Sequence, residues 1–325
     1  NDCTELQCMY NDVNGNYSLN SNIDCSKSSS WNWNGTLFEG FTPIGNATSG
    51  SEFVGGFDGN GYAISDLFIY KPFMNNVALF GHAYVSSSVH GRFYDVGLDN
   101  VNINGKNNVG GLVGFGSYLD INNSYVSGNV NGNDYVGGLI GGGDYVSINN
   151  SYASGNVDGN DSVGGLIGDG IFINIDNSYA SGNVNGSNEI GGLIGNGGSA
   201  NISKSYSTGN VNGNFEVGSL VGNGTDTNLV NSYWNNHSLN PDVCVGGGTP
   251  MSEDCTIIQN NESYFKGDVY PKNEPMTGWA FFDIWEERIK DYPSLTWRGL
   301  GGSIEAPNIS SIIDINESGV INGTV

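Results

Sequence analysis

The sequence predicts an all-β chain wound into a parallel β-solenoid, expected as a right-handed β-helix of 27-residue rungs with N- and C-terminal caps. Three observations predict it: a phrase repeated at a fixed period, a composition of short extended segments joined by turns, and no helical periodicity within the repeats. Val109-Gly-Gly-Leu-Val-Gly114 returns as Val136 to Gly141, Val163 to Gly168, Ile190 to Gly195 and Val217 to Gly222, each step 27 residues long with nothing inserted. A constant period is what a solenoid requires, because every coil must lie directly on the previous one.

A second phrase keeps the same period, from Ser124-Tyr-Val-Ser-Gly-Asn-Val130 through Ser151 to Val157, Ser178 to Val184 and Ser205 to Val211, fading at Ser232-Tyr-Trp234. Each copy holds two or three segments of β-branched or aromatic character separated by Asn-Gly, Asp-Gly or Gly-Gly pairs that read as turns. A propeller blade needs about 40 residues, so 27 fits one β-helix rung better. Stacked rungs lie about 4.8 Å apart, which makes residues 27 apart ladder neighbours. The columns are then an aromatic stack of Tyr125, Tyr152, Tyr179, Tyr206 and Tyr233, an Asn ladder of Asn129, Asn156, Asn183 and Asn210, and an aliphatic ladder from Leu112 to Leu220. Gly137, Gly138 and their equivalents are expected where the rung bends or backbones approach closely.

Composition agrees and excludes several alternatives. Fifty-two glycines without a three-residue period exclude collagen, and 37% hydrophobic residues supply enough apolar surface to fold. The formal charge of -23 comes from only 10 Lys plus Arg, with no basic stripe, so nucleic acid is not an expected partner. No apolar run reaches the 18 or so residues a membrane span requires. The chain opens at Asn1 without a Met or an apolar leader, as expected of a mature secreted chain whose signal peptide has been removed.

The chain divides into an N-terminal cap and entry strand (1–52), degenerate rungs (53–108), regular repeats (109–235), a disulfide- and Trp-rich cap (236–302) and a β-prone tail (303–325). Phe53-Val-Gly-Gly-Phe-Asp-Gly-Asn-Gly-Tyr62 reads as an early rung, and Gly278 to Trp285 with Tyr292 to Trp297 as a cover for the open solenoid end. The tail reads equally as a linker to a further domain or as a segment that packs on its own solenoid or adds a strand to a neighbour's edge, and exchange between copies would generate a filament. Cysteines occur only near the two ends of the repeat region. Disulfides Cys3–Cys25 and Cys244–Cys255 are expected, with Cys8 left as a buried thiol.

The phrases resemble the GLUG-repeat family of secreted and cell-surface proteins, in which Gly-Gly-Leu-hydrophobic-Gly repeats follow a Phe-Asp-Gly-Asn-Gly-Tyr entry and precede a Trp-rich ending. Leu6-Gln7, Gly15 to Tyr17, Leu19 and Ile23 to Cys25 are similar to its N-terminal entry strand, and Pro43-Ile44-Gly45 to its next step, so the resemblance covers roughly 3 to 298. It implies an adhesin-like surface β-helix and carries over no catalytic site.

Chemistry has few parts to draw on. His82, His90 and His237 and the arginines Arg92, Arg288 and Arg298 lie outside the regular rungs, and no Ser-His-Asp or Cys-His grouping has motif context. Carboxylates stack as Asp134 over Asp161 and Glu189 over Glu216. They read first as solvated turns, with Ca²⁺ as the one cofactor they could take. Asn-x-Ser/Thr triplets at Asn16, Asn34, Asn46, Asn122, Asn149, Asn185, Asn201, Asn223, Asn236, Asn261, Asn308, Asn316 and Asn322 are glycosylation candidates. The expected function is a non-catalytic extracellular structural subunit, self-assembling as a filament, sheath or surface layer. A surface adhesin for glycans or another cell is the alternative, and a polysaccharide-active β-helix enzyme the remote one.

Overall fold

A 27-residue period with apolar columns can bury its faces only by stacking, and the chain does so. The computed structural model describes residues 2–85, 91–235, 240–258, 276, 279–281, 283–286 and 292–297. Strands pair in parallel, rung on rung, from Tyr17–Ser18 on Phe57–Asp58 to Asn228–Asn235 on Ser252–Ile258. In the regular region partners are 27 apart: Ile140 opposes Ile167, Ile167 opposes Ile194, and Tyr152 opposes Tyr179.

The aliphatic ladders fill the interior. Leu112, Leu139, Leu166, Leu193 and Leu220 are buried, beside the Val113, Ile140, Ile167, Ile194, Val221 column. Each fully buried side chain of this size contributes about 1.5–3 kcal/mol before conformational entropy is counted. The earlier, wider rungs replace aliphatic ladders with phenylalanine. Phe53 lies 4.6 Å from Phe80, and Phe80 lies 5.0 Å from Phe93, ring centre to ring centre.

The rungs bend at the second glycine of each pair, where Gly138-Leu139 separates strand Asp134–Gly137 from strand Ile140–Asn149. Three columns of non-glycine residues also sit in the left-handed region. They are Asn108, Tyr135, Ser162, Glu189 and Glu216; Tyr118, Tyr145, Phe172, Ser199 and Asp226; and Asn123, Asn150, Asn177, Lys204 and Asn231. A left-handed residue inside a strand resets the in–out alternation of side chains. The Gly-Gly pairs serve close approach: a Cβ on Gly137 would lie 2.0 Å from the Ile140 carbonyl oxygen.

Cys3–Cys25 and Cys244–Cys255 are both bonded, with Cα separations of 5.1 and 6.5 Å. Three expectations for the ends are corrected. Leu6-Gln7 is not strand but part of helix α1, Cys3–Cys8, which Asp2 caps by accepting from the Thr4 and Glu5 amides. The helix buries Cys3 and Leu6, and Met9 is buried in the 3-10 turn that follows; Cys8 faces outward, so its thiol is exposed rather than buried. The described part of the Trp-rich segment does not cover an open end. It lies along the flank, with Trp279, Trp285 and Leu295 buried against the Tyr152, Tyr179, Tyr206, Tyr233 stack. The tail 303–325 lies outside the described residues.

Candidate binding face

The Tyr column stacks as its spacing demands, with ring centres 5.0, 4.8 and 4.8 Å apart from Tyr125 to Tyr206 and interplanar angles of 6° or less. Its outer surface is covered: Tyr206 Oη donates to the Pro293 carbonyl at 2.6 Å, and the Trp285 indole N–H donates to Asn177 Oδ1 at 3.2 Å. This ladder is core and offers no binding surface. The Asn ladder is exposed at Asn129, Asn156 and Asn183 and zips to itself, the backbone N–H groups of Asn183 and Asn210 donating to Asn156 Oδ1 and Asn183 Oδ1 at 3.2 and 3.1 Å.

Aromatic rings do reach solvent at the left-handed corners. Tyr118, Tyr145 and Phe172 stack at 4.7 and 4.8 Å on one corner, with Tyr145 and Phe172 exposed. On another corner Tyr135 is exposed, followed down the column by Ser162, Glu189 and Glu216.

Beside that second corner runs an open groove of about 580 Å³, lined by Asp134, Tyr135, Asp161, Ser162, Asp169, Asn188, Glu189, Asn196 and Phe215. The strands place these side chains in three parallel columns. Asp134, Asp161, Asn188 and Phe215 pair in register along one lip. Gly142, Asp169, Asn196 and Asn223 pair along the opposite wall, and the corner residues lie between. Glu189 accepts from Ser162 Oγ at 2.5 Å and from Asn223 Nδ2 at 3.3 Å, while Asn223 Nδ2 also donates to Glu216 at 2.8 Å.

Asp169 is the unusual group. Burial, followed by the negative charges of Glu189 and Asp144, raises its carboxyl from the ordinary range to about 6, partly offset by a hydrogen bond with Asn196. A carboxyl poised there both accepts and, when protonated, donates hydrogen bonds near neutral pH.

Three of the four carboxylates singled out from the sequence, Asp134, Asp161 and Glu189, line this groove; Glu216 does not, and accepts a hydrogen bond from Asn223. Asp134 does sit over Asp161. Among the described residues no three His, Cys, Asp or Glu side chains converge as metal ligands. Sequence reading missed Asp169, Tyr135 and Phe215. Each differs in type from its column neighbours, and aligning columns at 27 residues exposes that variation.

His82 packs on Phe115 at 5.4 Å, and burial lowers its pKa. Arg92 is exposed, while His90, His237, Arg288 and Arg298 lie outside the described residues. Of the glycosylation candidates, Asn16, Asn34 and Asn201 are exposed. Asn46, Asn122, Asn149, Asn185 and Asn223 are half-buried, and Asn236, Asn261, Asn308, Asn316 and Asn322 lie outside the described residues. Asn160-Asp161-Ser162 is a further triplet beyond those thirteen, and Asn160 is exposed.

No family model matches the chain. Among curated proteins, halomucin of Haloquadratum walsbyi (strain DSM 16790 / HBSQ001) is 38% identical over 102 residues, which is 31% of this chain and 1% of halomucin. A solved IgA1 protease chain superposes with a TM-score of 0.51 at 20% identity, over 77% of this chain and 21% of the protease. That likeness shows the β-helix fold alone. The matched part of this chain is thus a small fraction of either protein's length. Among the described residues no helix is long and apolar enough to cross a membrane.

Proposed function

We propose that this chain is an extracellular surface protein whose solenoid serves as a rigid, non-catalytic structural element, assembling with copies of itself. The observation that carries the reading is the ladder itself, parallel strand pairing that runs from Tyr17 to Ile258 with the regular rungs in constant register. Each rung is tied to the next by backbone hydrogen bonds and a shared core, which is the construction of a stiff spacer. Two disulfides favour an oxidising compartment, and the likeness to halomucin fits a surface protein. The acidic balance of -23 suits a hydrated exterior. Membership of the Gly-Gly-Leu-hydrophobic-Gly repeat family belongs to this proposal.

Self-assembly is assigned to the tail, whose Ile309, Ile312, Ile313, Ile315, Val320 and Ile321 give it strand-forming character. Electron microscopy of native material with and without residues 303–325 tests this. Ordered filaments or sheets that vanish on deletion are expected, and dispersed monomers in both samples contradict assembly. Release of reducing ends from polysaccharides by the purified chain would contradict the non-catalytic reading.

A second reading, adhesion to surface glycans, is favoured by a specific observation: aromatic rings stand in solvent at two corners, at Tyr135, Tyr145 and Phe172. Soluble proteins expose such rings in groups chiefly where something binds.

A further inference from the structure

We propose that the groove between Tyr135 and Phe215 binds a neutral saccharide. The assignment rests on the adhesive reading and gives it a site and a ligand class.

A missing ring creates the space. At the neighbouring corner Tyr118, Tyr145 and Phe172 follow one another at 4.7 and 4.8 Å, so each ring face is covered by the next. In the Tyr135 column the next residue is Ser162, whose short side chain turns aside to donate to Glu189. Glu189 is two rungs from Tyr135, about 9.6 Å at the usual strand spacing. The open groove of about 580 Å³ lies beside this gap with Tyr135 in its lining, room enough for a pyranose ring.

The polar groups suit that occupant. A pyranose has an apolar C–H face that stacks on an aromatic ring and a rim of hydroxyls that both donate and accept. Asp169, Glu189 and Asp161 supply acceptors, and the amides of Asn188 and Asn196 supply donors, all on the groove wall. Phe215 stands 62% exposed at the far end and would meet a second ring of the same chain of sugars. An aromatic surface with convergent polar groups is the composition of a small-molecule site, and a bare acidic turn lacks it.

Charge selects among sugars. Four carboxylates and no Lys or Arg line the groove, so uronates, sulfated sugars and sialylated ends are repelled. Tyr135 also holds a left-handed backbone, φ 59°, that Asn108 adopts in the same column at smaller steric expense.

The test uses the full chain on an array of neutral hexose and N-acetylhexosamine oligosaccharides, with uronate, sulfated and sialylated glycans alongside, followed by titration of the strongest neutral binder. Tyr135→Asn, which suits the left-handed backbone, and the near-isosteric Asp169→Asn should each weaken that binding at least tenfold. Phe73→Ser, at an exposed ring of the early rungs outside both corners, should leave it unchanged. Thermal unfolding confirms that each variant folds. Neutral-glycan binding insensitive to both groove variants would overturn the site while leaving the adhesive reading standing. A preference for anionic glycans, or no glycan bound at millimolar concentration, would overturn the proposal altogether, the latter taking the adhesive reading with it.

Discussion

Trp285 packs its indole 5.7 Å from the ring of Tyr206, centre to centre, and is fully buried there. Trp279 lies 6.1 Å from the same tyrosine, and Trp297 lies 6.0 Å from Tyr152. A non-repeating segment is thereby fastened across several rungs. An uncovered tyrosine stack would be a long apolar strip, and covering it buries aromatic area along the whole regular region. Trp285→Ala should therefore destabilise the chain by about 3–5 kcal/mol, the usual loss for a buried aromatic. Chemical denaturation reads the change, and a loss below about 1 kcal/mol would show that the segment contributes little.

The third left-handed column is Asn at every regular rung except one, where Lys204 adopts φ 45°. Asparagine tolerates this conformation better than lysine, because its short amide hydrogen-bonds locally. Lys204→Asn is expected to stabilise the protein by about 0.5–1 kcal/mol, measured by denaturant midpoint at unchanged slope.

Gly155 faces backbone on the adjacent rung, and a Cβ there would fall 1.6 Å from the Gly128 carbonyl oxygen. Neither atom is the end of a flexible side chain, so the rungs themselves would have to separate. Gly155→Ala should cost on the order of 3 kcal/mol or more and broaden the unfolding transition, whereas Gly50→Ala, in a loop with open space around it, tests only the strain of a left-handed backbone.

Asp169 gives stability a pH dependence of definite sign. Its folded pKa, about 6, lies above that of an ordinary aspartate, so its favourable contribution is fully present below about pH 4 and is lost as pH rises through 6. A shift of this size corresponds to on the order of 2–3 kcal/mol. Asp169→Asn, which cannot ionise, should match the parent near pH 4 and exceed it in stability at pH 7.5. Equal stability of the two proteins at both pH values would show that the carboxyl is not held neutral by its surroundings.

Much of this fold was legible because the chain states it four times over. Strict 27-residue spacing placed Tyr125 over Tyr152 and Ile140 over Ile167 without any knowledge of side-chain direction. The cysteine pairs were legible because their members flank the repeats in separate groups. The corners were not. Tyr135, Phe172 and Lys204 are poor candidates for a left-handed backbone, and only the stack of neighbouring rungs forces it on them. Helix α1 was hidden by its brevity, and the flank packing of Trp279 and Trp285 by the absence of any repeat to align them with. The groove escaped for a related reason: its members are spread over residues 134 to 215 and come from three different columns.

The central claim is that this solenoid stands outside the cell as an intact, disulfide-locked element. Labelling of intact producing cells and their medium with an antibody to the folded chain tests it most directly, coupled to mass mapping of the Cys3–Cys25 and Cys244–Cys255 peptides. Labelling at the surface or in the medium without permeabilisation, with both pairs oxidised, is expected. Signal only after permeabilisation, with the four thiols reduced, would contradict it.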